Sequence, residues 1–347
     1  AALKQKKSYT QALHRIWSNI TDTRMHITGG LGAVHGIEGF GPQFLLPNAD
    51  AFNETCAAVG NVLFNFRMFL AHKDAKYLDV AEVSLLNNVL AAVNLEGNKF
   101  FYVNPLEADG KYPFNHGTMG RAPWFGTACC PSNMARLLPQ VQGMTYAHDD
   151  RNLYLAMYAE TSTELDIGGS RLAISQTTEY PNKGRIEVSL DPQKPASFKL
   201  HLRIPTWAGE QFVPGKLYRY LNPSSETWKL SVNGESVSSK TELGFATIDR
   251  EWKKGDKVLL ELPMPLRLNR CDERVEENHH RLAFTRGPFV LCAEAIDNDG
   301  ATQRFYLDPK PTIDKASLSK VSLPAGSFLK ATTQSNALTE SGKSEKR

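Results

Sequence analysis

The sequence predicts a multidomain protein that is α-helical first and β-stranded afterwards. Three observations carry that class. The chain has 347 residues, more than one hydrophobic core supports, so two or three domains are expected. Apolar residues recur at helical spacing up to about residue 145. From Asp149-Asp150 onward they alternate at every second position, with turn signals at roughly 8–12-residue intervals, the pattern of antiparallel sandwiches. The expected units are 1–147, helical; 148–265, a β-sandwich; 266–315, a second, partial β-sandwich; and 316–347, a frayed tail.

Residues 3–20 place Leu3, Tyr9, Leu13, Ile16, Trp17 and Ile20 on one helical face, an amphipathic core helix. A glycine-rich loop follows, from Thr28 to Pro42. It is no phosphate cradle, because no strand precedes it and no Lys-Ser/Thr follows it. Such a loop more often brings backbone close to a ligand. Glu38 is its one carboxylate and, read alone, is a solvated loop charge. After Leu46-Pro47-Asn48 the spacing predicts a helix over about 51–71, with Val59, Leu63, Phe66 and Leu70 as its apolar stripe. Glu54 and Cys56 fall in its opening. Two residues apart on a regular helix they point about 200° apart, so they can share a ligand only if that opening is irregular. A further helix is expected over about 76–95, then an extended stretch over 99–106 and a polar loop over 108–123.

The stretch Trp124-Phe-Gly-Thr-Ala-Cys129-Cys130-Pro131-Ser132-Asn133 comes next. Cys130 and Ser132 are candidate N-caps, Pro131 suits a first helical position, and a helix is expected over 134–141. The dipole and free N–H groups at a helix start favour negative charge, which makes the two thiols candidate thiolates. Thiolates bind soft metals or attack electrophiles.

In the β region, strands are expected at Asn152–Tyr158, Leu172–Ser175, Arg185–Leu190, Phe198–Pro205, Trp228–Glu235, Phe245–Ile248 and Lys257–Leu262. Asn233-Gly234 is a hairpin signal. The stretch 208–225 reads as an inserted loop, and Arg281–Glu294 carries more strand. The tail from 316 is rich in Ser, Lys, Thr and Ala, a composition that frays.

Composition narrows the function classes. With 40 basic against 37 acidic residues the net charge is +3, and no basic stripe is interleaved with aromatics. Nucleic acid is therefore not an expected partner. No apolar run reaches the roughly 18 residues that a membrane span needs. Ala1-Ala-Leu-Lys-Gln-Lys-Lys7 is not a signal peptide, and without an initiator Met the chain is expected to be processed or partial. Five cysteines are too few, and odd in number, for a disulfide framework. Cys271 and Cys292 read as small buried hydrophobes within or beside strands. For Glu54, Cys56, Cys129 and Cys130 two readings stand side by side. One is a zinc site with three sulfurs and one oxygen. The other is buried structural cysteines, since the Glu-x-Cys…Cys-Cys spacing is no standard zinc-finger pattern.

Taken in order, Ile27-Thr-Gly-Gly-Leu-Gly32, Glu38-Gly-Phe40, Leu46-Pro-Asn48, Phe52-Asn-Glu54-Thr-Cys56-Ala57, Phe100-Phe-Tyr102-Val-Asn104-Pro-Leu106 and Ala128-Cys129-Cys130-Pro131-Ser-Asn133 resemble glycoside hydrolase family 127. Its best-known activity is β-L-arabinofuranosidase. The resemblance covers residues 1 to roughly 310. It implies an (α/α)6 catalytic barrel, of which this chain carries the C-terminal half, followed by antiparallel β-sandwich domains. It implies Zn2+ held by Glu54, Cys56, Cys129 and Cys130, with Cys129 the nucleophile and Glu38 the general acid/base. Tyr102 matches a position near the sugar. The retaining scheme then has a cysteine in place of one of two carboxylates. The family's sugar-holding histidines lie in the half that is absent, and His35 and His116 do not obviously replace them. Apolar helix faces are expected to be exposed at the cut.

The expected function is thus zinc-dependent, retaining release of terminal β-L-arabinofuranose from plant-derived glycans. The alternatives are a same-family glycosidase for another pectin side-chain sugar, since membership does not fix the sugar, and a non-catalytic zinc-containing carbohydrate-binding fragment. The expected partner is an oligosaccharide or glycan, with no nucleic acid and no membrane. A homodimer stays open. The expected location is periplasmic or secreted rather than cytoplasmic.

Overall fold

A computed structural model describes residues 6–222, 224–298 and 300, and the backbone of 305–306, 317–323, 326–332, 336–338 and 344–346. Of the tail expected to fray from 316, the described backbone is paired strand: Ser317–Leu323 pairs with Gly326–Thr332, and Asn336–Leu338 with Ser344–Lys346. Helices come first: α1 (Lys7–Thr23), α2 (Thr55–His72), α3 (Ala75–Ser84) and α4 (Cys129–Leu137). All four depart from the expected bounds. α2 starts at Thr55, not 51, because Asn53 takes a left-handed backbone (φ 43) and Glu54 an extended one (φ −63, ψ 136). α3 stops at Ser84 and continues as a π turn, Leu85–Val89, and a 3-10 turn, Leu90–Ala92. There Asn87 bonds out to Val290 N and Pro288 O, and Asn104 Nδ2 donates to the Asn88 carbonyl, in competition with the helical ladder. α4 starts earlier than expected, at Cys129, so both thiols lie inside its first turn and neither Cys130 nor Ser132 is the cap. Beyond Leu137, with Pro139 in the chain, the backbone tightens into a 3-10 segment, Leu138–Met144.

The strands follow: β1 (Tyr146–His148), β2 (Asn152–Leu155), β3 (Thr161–Ile167), β4 (Ser170–Thr178), β5 (Arg185–Pro192), β6 (Ala196–Arg203), β7 (Tyr218–Tyr220), β8 (Lys229–Val232), β9 (Glu235–Ser236), β10 (Thr241–Glu242), β11 (Phe245–Trp252), β12 (Asp256–Glu261), β13 (Leu266–Cys271), β14 (Ala283–Arg286) and β15 (Phe289–Leu291). They form sheets of order β1-β2-β6-β11-β10, β3-β4-β5-β12-β8-β9 and β15-β14-β13-β7. Pairing in these sheets is antiparallel except for β2 with β6. Alternation is direct: β4 and β6 bury every second residue, and Leu172, Ile174, Phe198, Leu200 and Leu202 share one core with Trp252 and Val258. Asn233 and Gly234 both take positive φ between β8 and β9, the hairpin their sequence signals. The stretch expected to be an inserted loop is partly ordered as β7, paired with β13 through Tyr220 opposite Asn269.

One buried ion cluster ties α3 to the sheets. Arg203, at the end of β6, is fully buried and pairs with Asp79 at 2.7 Å and Glu82 at 2.5 Å. Thr206 Oγ1 donates to Asp79, and Tyr180 Oη and Trp207 Nε1 donate to Glu82. Burial pushes the Asp79 carboxyl above its usual range, against the pull of Arg203. Burial also opposes the Arg203 charge, but Glu82, Tyr180 and Asp79 outweigh it and hold the guanidinium protonated. Elsewhere α1 exposes Tyr9 and Ile16, and the turns after α3 expose Leu90 and Leu95.

Removing one partner from a buried charge cluster costs about 3–5 kcal/mol. Arg203→Met should lower stability by that order in urea unfolding, and adding Asp79→Asn and Glu82→Gln should restore part of it. An unchanged midpoint in Arg203→Met would show that the cluster holds nothing together.

Candidate metal centre

The left-handed turn at Asn53 is built by distant partners. Asn53 N donates to Gly32 O at 2.6 Å and its Nδ2 to Asn104 O at 2.8 Å, while Asn88 Nδ2 donates to its Oδ1. Gly29 and Gly30 make room for this junction: a Cβ on Gly29 would strike Ser84, and one on Gly30 would strike Asn53 and Asn88. Glu54 therefore leaves the helix and pairs with Val103 in an isolated bridge. Thr55 N bonds Tyr102 O and Thr55 Oγ1 bonds Phe101 O, which lays the 100–103 stretch along the start of α2. Because Glu54 is outside the helix and Cys56 is in its first turn, the two converge.

The first turn of α4 meets the first turn of α2. Ala58 and Val59 pack in one cluster with Met134 and Leu137. Cys56 Sγ lies 3.3 Å from Cys130 Sγ, and Cys129 Sγ 3.9 Å from Cys130 Sγ. Glu54 Oε1 is 3.5 Å from Cys129 Sγ and 3.7 Å from Cys130 Sγ. One donor atom from each of the four residues lies within 4.8 Å of all the others. Zinc bound tetrahedrally to sulfur at about 2.3 Å sets its donors about 3.8 Å apart. The set therefore fits one metal ion, and three sulfurs with one carboxylate are consistent with zinc. The five cysteines are free thiols.

Asn133 Nδ2 donates to Cys56 Sγ at 3.1 Å, and Tyr102 Oη stands 3.1 Å from Cys129 Sγ. The hydrogen bond between Cys56 and Cys130 lowers the Cys56 pKa, and Asn133 adds to it against burial. The Cys129 thiol is pushed up, by burial first. The contact with Cys56 and burial push Cys130 up further. Within the cluster Cys56 is thus the most acidic of the three thiols. Burial and the Cys129 contact also raise the Tyr102 phenol.

An aromatic wall backs the cluster. Phe125 stands edge-on to Tyr102 at 5.5 Å, His116 leans on Tyr102 at 4.4 Å, Phe52 is 6.2 Å from Tyr102, and His35 is 5.1 Å from Phe52. Of the residues singled out from the sequence, Glu54, Cys56, Cys129, Cys130 and Tyr102 meet here. Glu38 does not join the cluster. It is exposed, at φ 47, in the turn closed by Val34 and Gly39, and this turn carries His35, whose ring rests on Phe52. Cys271 is buried, as expected of a small core residue. Cys292 corrects the expectation: it is exposed, because it follows β15 at the edge of its sheet. Asn133 went unread, although its place one turn beyond Cys130 in the same motif is a signal that could have found it.

Comparison with known proteins finds matches along most of the chain. Residues 1–143 match the profile described as "Beta-L-arabinofuranosidase, GH127 catalytic domain", residues 152–264 the GH127 middle domain, and residues 266–334 the "Glycoside hydrolase family 127 C-terminal domain". A non-reducing end beta-L-arabinofuranosidase of Bifidobacterium longum subsp. longum is 32% identical over 300 residues, covering 84% of this chain and 43% of that protein. A solved GH127 beta-arabinofuranosidase superposes with TM-score 0.93 at 38% identity, over all of this chain and 53% of its own. A GH127 beta-L-arabinofuranosidase from Geobacillus stearothermophilus T6 gives 0.87 at 31%, over all of this chain and 54% of its own. The chain thus spans about half the length of the relatives it matches.

The cluster should hold about one divalent metal per chain by elemental analysis after gel filtration. Cys130→Ala should leave well under one equivalent, and Cys271→Ala should leave the content unchanged. Full occupancy in Cys130→Ala would remove the cluster as the metal's seat.

Proposed function

The chain belongs to glycoside hydrolase family 127, and on that premise we propose that it carries the reactive centre of a zinc-dependent, retaining glycosidase that releases terminal β-L-arabinofuranose from plant-derived glycans. The observation that carries the reading is the convergence of Glu54, Cys56, Cys129 and Cys130 within 4.8 Å, in a chain similar to proteins named for that activity. The four helices would supply the C-terminal half of an (α/α)6 barrel, with the β-sheets packed behind it. A polymeric plant glycan as substrate agrees with a periplasmic or secreted protein.

Glu54, Cys56, Cys129 and Cys130 would hold the zinc, which when bound keeps thiols deprotonated at neutral pH. The remaining work falls to the chain. Tyr102 Oη accepts from the Cys129 thiol at 3.1 Å and would donate to the sulfur once it is a thiolate, orienting it. Asn133 donates to Cys56 and orients it, and Cys130 is buried beneath both. Cys129 Sγ, the less buried of the adjacent pair, attacks the anomeric carbon and forms a thioglycosyl bond as the glycosidic C–O bond breaks. Glu38 gives its proton to the departing oxygen, then takes one from the water that cleaves the C–S bond. Two displacements at one carbon retain its configuration. The scheme requires the Glu38 carboxylate and the sulfur to stand about 5–5.5 Å apart across the bound sugar. Among the described residues the Glu38 carboxylate, on its exposed turn, has no partner that would compete with that role.

In the protein carrying this chain, Cys129→Ala should lower kcat on β-L-arabinofuranosides by a factor on the order of 10^3 or more. Glu38→Gln should impair a sugar leaving group far more than an activated aryl one, because the latter departs without a proton. Undiminished turnover in Cys129→Ala would sink the mechanism. Metal bound without any turnover, but with retained sugar affinity, would instead favour a non-catalytic carbohydrate-binding role.

A further inference from the structure

Among the described residues, non-glycine residues with positive φ include Lys73, Asn233, Asn53, Glu38 and His116. A left-handed backbone disfavours a residue with a Cβ, so each such case needs a cause. Lys73 caps α2 and Asn233 turns a hairpin. Asn53 breaks the backbone ahead of Glu54. His116, at φ 48, forms with Gly117, at φ 90, the two-residue turn between Asn115 and Thr118, whose backbone groups exchange hydrogen bonds, and this turn holds its side chain at the tip. His116 follows Asn115, a fully buried side chain that clamps the loop onto the site: Asn115 Oδ1 accepts from Tyr102 N and Val103 N, and Nδ2 donates to Gly120 O and Phe100 O. The loop is thus built rigidly, and its rigidity is spent on presenting one exposed imidazole.

That imidazole hydrogen-bonds to no described residue. Its contacts are rings: Tyr102 at 4.4 Å and Phe125 at 5.8 Å. Tyr102 in turn touches the Cys129 sulfur at 3.1 Å. Among the described residues His116 is therefore open to solvent and without a polar partner, one ring away from the Cys129 sulfur. Such a group is arranged to meet a ligand. Across the same wall stands the turn bearing His35 and Glu38, so a sugar over Cys129 would lie between the two turns.

We propose that His116 is a sugar-contacting residue of this site, its imidazole hydrogen-bonding a hydroxyl of the glycan bound over Tyr102 and Cys129. The assignment rests on the glycosidase reading, but its test is binding rather than turnover. The probes are free L-arabinose and a short arabino-oligosaccharide, titrated calorimetrically into the full-length protein carrying this chain. His116→Gly is the variant of choice, because glycine relieves the left-handed backbone and should leave the thermal midpoint equal or higher. Its affinity should fall about tenfold, the worth of one good hydrogen bond, with metal content unchanged, and His116→Asn should recover part of the loss. A loss for both probes assigns the contact to the terminal sugar, and a loss for the oligosaccharide alone assigns it to the leaving group. Unchanged affinity for both would overturn the proposal. So would a fall in affinity matched by a fall in thermal midpoint in both variants, which would mark a structural residue. Wild-type protein that binds neither sugar would sink the glycosidase reading itself, and this assignment with it.

Discussion

The site depends on one change of backbone direction, between Asn53 and Glu54. Had α2 begun four residues earlier, Glu54 and Cys56 would point to nearly opposite sides of it. The turn at Asn53 frees Glu54 to reach the sulfurs of α4 while Cys56 stays in the first turn of α2. None of the groups that enforce this are neighbours in sequence. Gly32 supplies an acceptor from the glycine-rich loop, Asn104 another from the extended stretch, and Asn88 a donor from the π turn. The glycine-rich loop is thus packing apparatus for Glu54 as well as the carrier of Glu38.

A second constraint joins the helical part to the sheets. Arg203 is desolvated between two carboxylates of α3, and hydroxyl and indole donors occupy the remaining acceptor positions. A cluster of this kind adds little net stability compared with an apolar replacement, but it admits only one arrangement of its parts. It fixes the position of α3, and with it the Asn88 that braces Asn53.

Much of the β region was legible, because one buried face per sheet forces strict alternation, and Asn233-Gly234 states its turn locally. The interiors of the helices were legible for the same reason. Their ends were not, since α2, α3 and α4 begin or stop where tertiary hydrogen bonds and Pro139 intervene. The adjacency of Cys129 and Cys130 was plain, but nothing local joins them to Cys56, more than seventy residues away. That link came through family resemblance, and the folded chain supplies its geometry. His116 was set aside in the sequence as a replacement for the family's histidines; its ring contact with Tyr102 shows only in the folded chain. Cys292 was misread because the apolar run before it forms an edge strand and not a core one.

The 3.3 Å between Cys56 and Cys130 also bears on how such a protein ages. A disulfide needs its sulfurs only about 2.05 Å apart, so in a metal-free molecule a small shift and an oxidant suffice to join them. One such bond would remove two of the four candidate donors at once. A bound cation acts as a protecting group for the thiols it recruits. The fraction of competent molecules in a sample would then record its history of exposure to air and chelators as well as its sequence.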